Sequence, residues 1–355
     1  MSTGNRPANT PAISCQNVWQ VFGPGAETAL TDALARSGDD PGAAEQELRD
    51  KGLIPAVQDA NFEVHEGELF VIMGLSGSGK STLIRCISHL LHATGGEIRI
   101  DGENIVEASK ARLIELRRKK LGMVFQHFGL FPHMTVLDNV AYPLRVQGKK
   151  KADRHAKARE VIELVGLEGR EHHYPRELSG GQRQRVGIAR SLVADCSVWF
   201  LDEPFSALDP LIRRQLQDEF LQIQDKLKTT IVFITHDINE ALKLADRIAI
   251  MRDGKIVQIG TPADIVLNPV DDYVREFSKD VAKGQHAHVV SVMRTEGDLS
   301  HGPDDPGLLQ GMTLDAALAR CMDLYEPVPV RDAGGQVVGV VNPADLAAAL
   351  QVETP

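Results

Sequence analysis

Three short polar segments, each directly behind an apolar run, hold the residues most able to do chemistry. Leu69-Phe70-Val71-Ile72-Met73 reads as a buried strand, followed at once by Gly74-Leu75-Ser76-Gly77-Ser78-Gly79-Lys80-Ser81-Thr82 and a helical stretch from Leu83 to Leu91. Glycines at this spacing let a backbone curl with its N–H groups inward, and a helix starting there presents its positive end to an anion. Gly74, Ser76, Gly77, Ser78, Gly79 and Thr82 are therefore read as a cradle for the phosphates of a nucleotide. Lys80 supplies a point charge to the β- and γ-phosphates, and the Ser81 hydroxyl is a ligand for Mg²⁺. The second segment is Asp202-Glu203, which ends the run Val198-Trp199-Phe200-Leu201. Buried acids are costly unless they meet a cation, and the Mg²⁺ of a bound nucleotide is the partner expected for Asp202, through water. Glu203, one residue further, is placed to polarise an attacking water as general base. The third is His236-Asp237, after the strand Thr230 to Thr235. It puts another polar group at the carboxyl edge of the same sheet, where α/β proteins gather ligand contacts.

These segments need a frame. From Val57 to about Phe277 short apolar runs alternate with longer amphipathic ones, the pattern of a parallel α/β sheet. Ile13 to Phe22 reads as a first strand. Residues 23–55 read as a helical insertion, from the spacing of Ala29-Leu30, Ala33-Leu34 and Leu48, and residues 1–12 as a disordered tail. A linker is expected over 281–288, then a small module over 289–355. In that module Thr313-Leu314-Asp315 caps a helix ending near Met322. Val328-Pro329-Val330 and Gln336 to Val341 form strands around the turn Asp332 to Gly335, and Pro343-Ala344-Asp345 opens a last helix.

Composition narrows the function. The 355 residues carry a net charge of -10, which favours neither wholesale nucleic-acid binding nor an anionic lipid surface. Cys15, Cys86, Cys196 and Cys321 are scattered without zinc spacing and fit reduced thiols. No apolar run reaches the length of a membrane span, and residues 1–11 lack a signal-peptide core, so any work at a membrane is expected of a peripheral subunit.

Leu178-Ser179-Gly180-Gly181-Gln182 opens a helix expected over Gln182 to Leu192, a second glycine-rich helix start in one chain. This segment resembles the signature motif of ABC ATPases at every position. The resemblance covers about residues 13–280. It implies a P-loop NTPase of the ABC-cassette type, with a RecA-like core, a helical subdomain over about 127–179, and a small C-terminal α+β module. In that family two cassettes pair head to tail, so Ser179, Gly180, Gly181 and Gln182 would close over the partner's γ-phosphate in a homodimer. By the same resemblance Gln126 is the Q-loop glutamine that senses Mg²⁺ and water, and Asp209, in Ser206-Ala207-Leu208-Asp209, lies at the dimer seam. His236 is then the switch histidine. Phe22 stacks on adenine, with Trp19 as rival. ATP and Mg²⁺ are the cofactors implied.

The run from His127 to Val140 resembles the importer version, whose helical subdomain receives the coupling helix of an integral membrane permease. An extracytoplasmic substrate-binding protein would act with it indirectly, and the chain would sit at the cytoplasmic face of a bacterial cell membrane. An exporter ATPase is the alternative. A soluble ABC ATPase acting on nucleic acid or ribosomes fits less well, because neither tandem cassettes nor a long coiled coil is present. Met73 to Thr82, Arg117-Arg118-Lys119-Lys120, Phe205 to Arg213 and the insertion after Phe22 are similar to the subfamily importing glycine betaine, choline, proline and related methylamines such as trimethylamine N-oxide. The order of elements in the C-terminal module is similar to one CBS motif, where a pair is usual.

Overall fold

The computed structural model describes residues 11–38, 40–124, 129–206, 208–279, 281, 284, 288–295, 307–321 and 327–350. Gln126, Ala207, Met322, nearly all of the expected tail and most of the expected linker lie outside the described residues. The chain forms two compact units, residues 1–236 with 249–257, and residues 237–248 with 258–355.

The elements of the first unit begin with β1 (Ile13–Phe22), α1 (Ala26–Ser37), α2 (Pro41–Asp50), β2 (Ile54–Val64), β3 (Leu69–Met73) and α3 (Lys80–Ile87). There follow β4 (Gly95–Ile100), β5 (Glu103–Asn104), α4 (Lys110–Lys119), β6 (Leu121–Val124), α5 (Val136–Val146) and α6 (Lys151–Leu164). Then come α7 (Gly180–Leu192), β7 (Val198–Asp202), α8 (Pro210–Leu227) and β8 (Thr230–Thr235). After these the chain forms α9 (Ile238–Leu244), β9 (Arg247–Arg252), β10 (Lys255–Gly260), α10 (Pro262–Leu267) and α11 (Asp272–Ser278). The second unit ends with β11 (Leu308–Leu309), α12 (Leu314–Cys321), β12 (Val328–Arg331), β13 (Val337–Val341) and α13 (Pro343–Leu350).

One sheet runs β10-β9-β3-β8-β7-β6, to which the first unit contributes residues 249–252 and 255–257 of the outer two strands. Strands β3, β8, β7 and β6 are mutually parallel, with Met73 opposite Thr235, Asp202 opposite Ile234 and Val124 opposite Leu201. Their carboxyl ends therefore share one edge. β3, β7 and β8 are buried along their whole length, which explains their unbroken apolar runs. A second sheet, β2-β1-β4-β5, is antiparallel.

Helices α1 and α2 form the insertion. Asp40 caps α2 by accepting from the amides of Gly42 and Ala43, with Pro41 in the first turn. Leu30, Ala33, Ala44 and Leu48 bury against Trp19, Val21 and Leu53, so the hairpin has a core of its own on β1.

In the second unit β11 pairs parallel with β12, and β12 antiparallel with β13. Val289, Leu308, Leu314, Cys321, Val330, Val341 and Leu346 close its core. Gly335, at φ 80°, completes the turn between β12 and β13 while Asp332 accepts from the amides of Gly334 and Gln336. Among the described residues no helix is long and apolar enough to cross a membrane.

Candidate active site

β3 delivers the chain to Gly74, which turns at φ 154°. A Cβ there would lie 2.2 Å from the Met251 carbonyl oxygen, and one on Gly79 (φ 99°) would lie 2.3 Å from that of Ala56. Both contacts are with backbone, so only glycine lets the loop lie this close to its neighbours. Gly77 (φ 82°) has open space and answers to conformation alone. Gly79 also begins α3 without a side-chain cap, which leaves the first amides of the helix turned to the loop. Lys80 is buried, and its ammonium donates to the carbonyls of Gly74 (2.8 Å) and Leu75 (2.9 Å). Leu75, Ser76 and Gly77 form the exposed mouth, and Ser78 is buried. α3 starts at Lys80 and stops at Ile87, short of the expected Leu91. His89 adopts φ 54°, and the Leu91 amide turns back to the Arg85 carbonyl at 2.9 Å.

At the end of β7, Asp202 is buried, and the Ser81 hydroxyl beside it favours the charged carboxylate. Burial raises the pKa of its carboxyl, Arg85 opposes that rise, and the charge of Glu203 adds to it. Burial lowers the pKa of the Lys80 ammonium, against the pull of Glu203 and Asp202. Glu203 sits in the left-handed region at φ 45°, with its amide donating to the Ile234 carbonyl at 3.1 Å. Its carboxylate is 3.2 Å from His236 Nδ1, and the Ser206 hydroxyl donates to its carbonyl at 3.0 Å. The structure thus brings together Lys80, Ser81, Asp202, Glu203 and His236. Arg85, which no sequence signal marked, joins them through its field at Asp202.

Ser179 caps α7 in a reciprocal box, accepting from the Gln182 amide (3.3 Å) while Gln182 Oε1 accepts from the Ser179 amide (3.0 Å). That box starts the helix at Gly180, two residues ahead of expectation. A Cβ on Gly181 would lie 2.8 Å from Ile212 Cγ2, so this glycine lets α7 approach α8. Asp209 caps α8 by accepting from the Ile212 amide at 3.1 Å. Among the described residues no hydrogen bond or ion pair links Ser179 to Gln182 with the phosphate loop. Phe22 is 41% exposed at the end of β1, whereas Trp19 is 1% exposed in the hairpin core and offers no face to a ligand.

An apolar groove of about 610 Å³ opens beside β6 and α5, lined by Ile114, Arg117, Phe131, Tyr142, Val146 and Arg190. Its rim is held by Asn139, fully buried on α5. Asn139 Oδ1 accepts from the Phe131 amide (2.8 Å), and its Nδ2 donates to the carbonyls of Phe131, Met134 and Thr135. Nothing in the sequence distinguished this asparagine from its neighbours.

A parallel sheet that gathers an anion loop, a buried acid and a strand-end histidine on its carboxyl edge is the architecture of the P-loop nucleoside triphosphatases. Comparison with known proteins narrows this. Residues 57–206 match the family model described as ABC transporter. The chain is 49% identical over 336 residues to the trimethylamine N-oxide transport system ATP-binding protein of Pelagibacter ubique, covering 95% of this chain and 96% of the other. It is 52% identical over 335 residues to the protein of that name in Ruegeria pomeroyi, covering 94% and 95%. With the glycine betaine/proline betaine transport system ATP-binding protein of Escherichia coli it shares 48% over 272 residues, covering 76% and 66%. A dimeric post-hydrolysis ATP-binding cassette bound to ADP and Pi superposes with a TM-score of 0.58 at 31% identity, over 70% of this chain and 98% of that one. The chain belongs to the ABC transporter family. It is an ATP-binding subunit whose ATP hydrolysis is coupled to transport.

Proposed function

We propose that this chain energises uptake of trimethylamine N-oxide through a membrane permease. The observation that carries the substrate is coverage. Identity barely separates the relatives, but the two trimethylamine N-oxide proteins align from end to end, including the C-terminal unit, while the betaine protein aligns over 76% of this chain. The same reading divides the chain into a cassette over 13–280 and a partial CBS-like module over 289–355. The permease's coupling helix would enter the groove between Ile114 and Val146, whose apolar lining suits an amphipathic helix. That places the chain on the cytoplasmic face of a bacterial cell membrane, with a substrate-binding protein on the far side. Pairing of two copies is supported by the dimeric cassette it resembles, and by Leu75 (58% exposed) and Leu211 (76% exposed) beside the loop and the Asp209 cap.

In this reading the loop amides and Lys80 bind the phosphates, and Phe22 stacks on adenine. The oxygen donors of Ser81, Asp202 and Gln126 suit Mg²⁺, and the buried Asp202 carboxyl, raised in pKa by burial, is a group that gains from a cation. Mg²⁺ would neutralise charge between the β- and γ-phosphates. Glu203 accepts a hydrogen bond from the attacking water and aims its oxygen at the γ-phosphorus. His236, 3.2 Å away, steadies that carboxylate and faces the phosphate. Ser179, Gly180, Gly181 and Gln182 close over the γ-phosphate of the partner copy, with Asp209 at the seam. Uptake of labelled trimethylamine N-oxide, betaine, choline, proline and carnitine, in cells lacking the gene and complemented with wild type or Glu203→Gln, tests this. Wild type alone should restore trimethylamine N-oxide uptake, and purified Glu203→Gln should bind ATP without turning it over. Restored uptake of betaine alone would overturn the substrate, and normal turnover would remove Glu203 as base.

A further inference from the structure

The insertion α1–α2 has no part in the chemistry described above, yet one of its side chains reaches Lys255, beside the turn on which the phosphate loop rests. We infer that the hairpin braces that loop, with Glu45 and Lys255 as positioning residues for ATP. This rests on the loop being the ATP site.

The brace can be followed from the loop outward. The Ser78 carbonyl accepts from the Gly254 amide at 3.0 Å, and the place of a Cβ on Gly79 is 3.4 Å from Gly254 Cα. The floor of the loop is thus the turn Asp253-Gly254, both at positive φ (51° and 86°), the pair a tight hairpin between β9 and β10 requires. β2 holds this turn from one side. The Gln58 amide donates to the Gly254 carbonyl (2.9 Å), and Gln58 Nε2 donates to the Asp253 carbonyl (2.8 Å). The insertion holds it from the other. Lys255, the next residue, places its ammonium 2.6 Å from Glu45 on α2. The Gln58 side chain, which holds the turn from β2, also lies beside the Glu45 carboxylate and favours its charged form.

Glu45 can bear this because its own position is fixed. Its neighbours Ala44 and Leu48 are fully buried in the hairpin core, and Arg49 Nε donates to it at 2.8 Å. Its side chain is 18% exposed and that of Lys255 44%, so the carboxylate is the sheltered member of the pair. A turn allowed to shift would carry the Ser78 carbonyl with it and misplace the loop amides. Such a shift weakens ground-state and transition-state binding of the phosphates alike, so it raises KM and spares kcat.

The test is steady-state ATP hydrolysis by the full-length chain in Glu45→Gln, Lys255→Met, Lys255→Arg, the Glu45→Gln/Lys255→Met double variant and Arg49→Met. Each of the first two should raise KM for MgATP about threefold to tenfold with kcat within about twofold. The double variant should be no worse than either single one, because the two side chains act through one contact. Lys255→Arg should restore affinity. Arg49→Met removes one of the groups that fix Glu45 without touching the turn, and should raise KM by less than Glu45→Gln does. Lys80→Ala separates the two claims. Loss of ATP binding in Lys80→Ala with unchanged KM in Glu45→Gln and Lys255→Met overturns the brace and leaves the ATP site standing. Unchanged ATP affinity in Lys80→Ala overturns both.

Discussion

Replacing Asn139 by alanine should loosen the rim of the groove without unfolding the chain. The side chain is fully buried and makes four contacts to the 131–135 segment, at 2.8, 3.1, 3.0 and 3.0 Å, with the two N–H groups of Nδ2 shared among three carbonyls. Phe131, Met134 and Thr135 are themselves only half-buried, so water can take over part of what is lost. At about 0.5–1 kcal/mol net for each of about three full bonds, the local cost is about 1.5–3 kcal/mol. If that cost falls on opening of the segment, amide exchange there should quicken roughly 10- to 140-fold. Hydrogen exchange with mass spectrometry on peptides covering 129–140 reads this directly, and the Phe131 amide should respond most because its acceptor disappears. The middle of α7 provides an internal reference that should not move. Unchanged protection over 131–137 would mean that Asn139 does not hold the rim.

The paired glycines of the signature should respond differently. Gly181→Ala forces a methyl to within 2.8 Å of Ile212 Cγ2 and should cost about 1–3 kcal/mol in urea unfolding, whereas the nearest atom to a Cβ on Gly180 is at 3.7 Å and Gly180→Ala should fold as wild type. Equal stabilities would contradict the α7–α8 approach described. Trp19→Ala empties the centre of the hairpin core and should cost about 3–5 kcal/mol, read by chemical denaturation; an unmoved midpoint would put Trp19 outside that core. Glu47 gathers Arg36 and Lys51, whose hydrogen bonds lower its pKa from 4.5 to about 2. An acid depressed in the folded state stabilises above its unfolded pKa, so this contribution should be intact above about pH 4.5 and fade toward pH 2. Carboxyl NMR should place the Glu47 midpoint well below 4, and a midpoint near 4.5 would refute the pairing.

The loop and strand-end residues of the candidate site were legible because their signal is local. A strand, a glycine spacing and a helix start are written within Leu69 to Ile87, and the register of β3, β8 and β7 puts Asp202 and His236 on the same edge because each simply ends its strand. What was not legible depended on tertiary packing. Trp19 and Phe22 lie on one strand with similar apolar neighbours, and only the core formed by α1 and α2 decides which of them faces solvent. The end of α3 at Ile87 depends on His89 turning left-handed, which an apolar continuation through Leu90-Leu91 concealed. Asn139 and Glu45 look like ordinary helix residues until the loops they hold are in place. The reverse holds for Leu178 to Gln182, where the family pattern pointed to a partner's nucleotide and the chain itself displays a well-made helix cap.

Glu203 stands at φ 45°, a conformation that glycine enters freely and glutamate at a cost on the order of 1 kcal/mol. Any scheme that ranks residues here by folding energy alone will favour glycine or asparagine, and will remove the carboxylate in doing so. Thermostability engineering of this chain should therefore leave position 203 alone and look to the hairpin and the surface of α6 instead. The same backbone cost would make glycine at this position easy for a mutating gene to tolerate structurally. On the role proposed for Glu203, such a lineage would keep a well-folded cassette whose turnover had been lost.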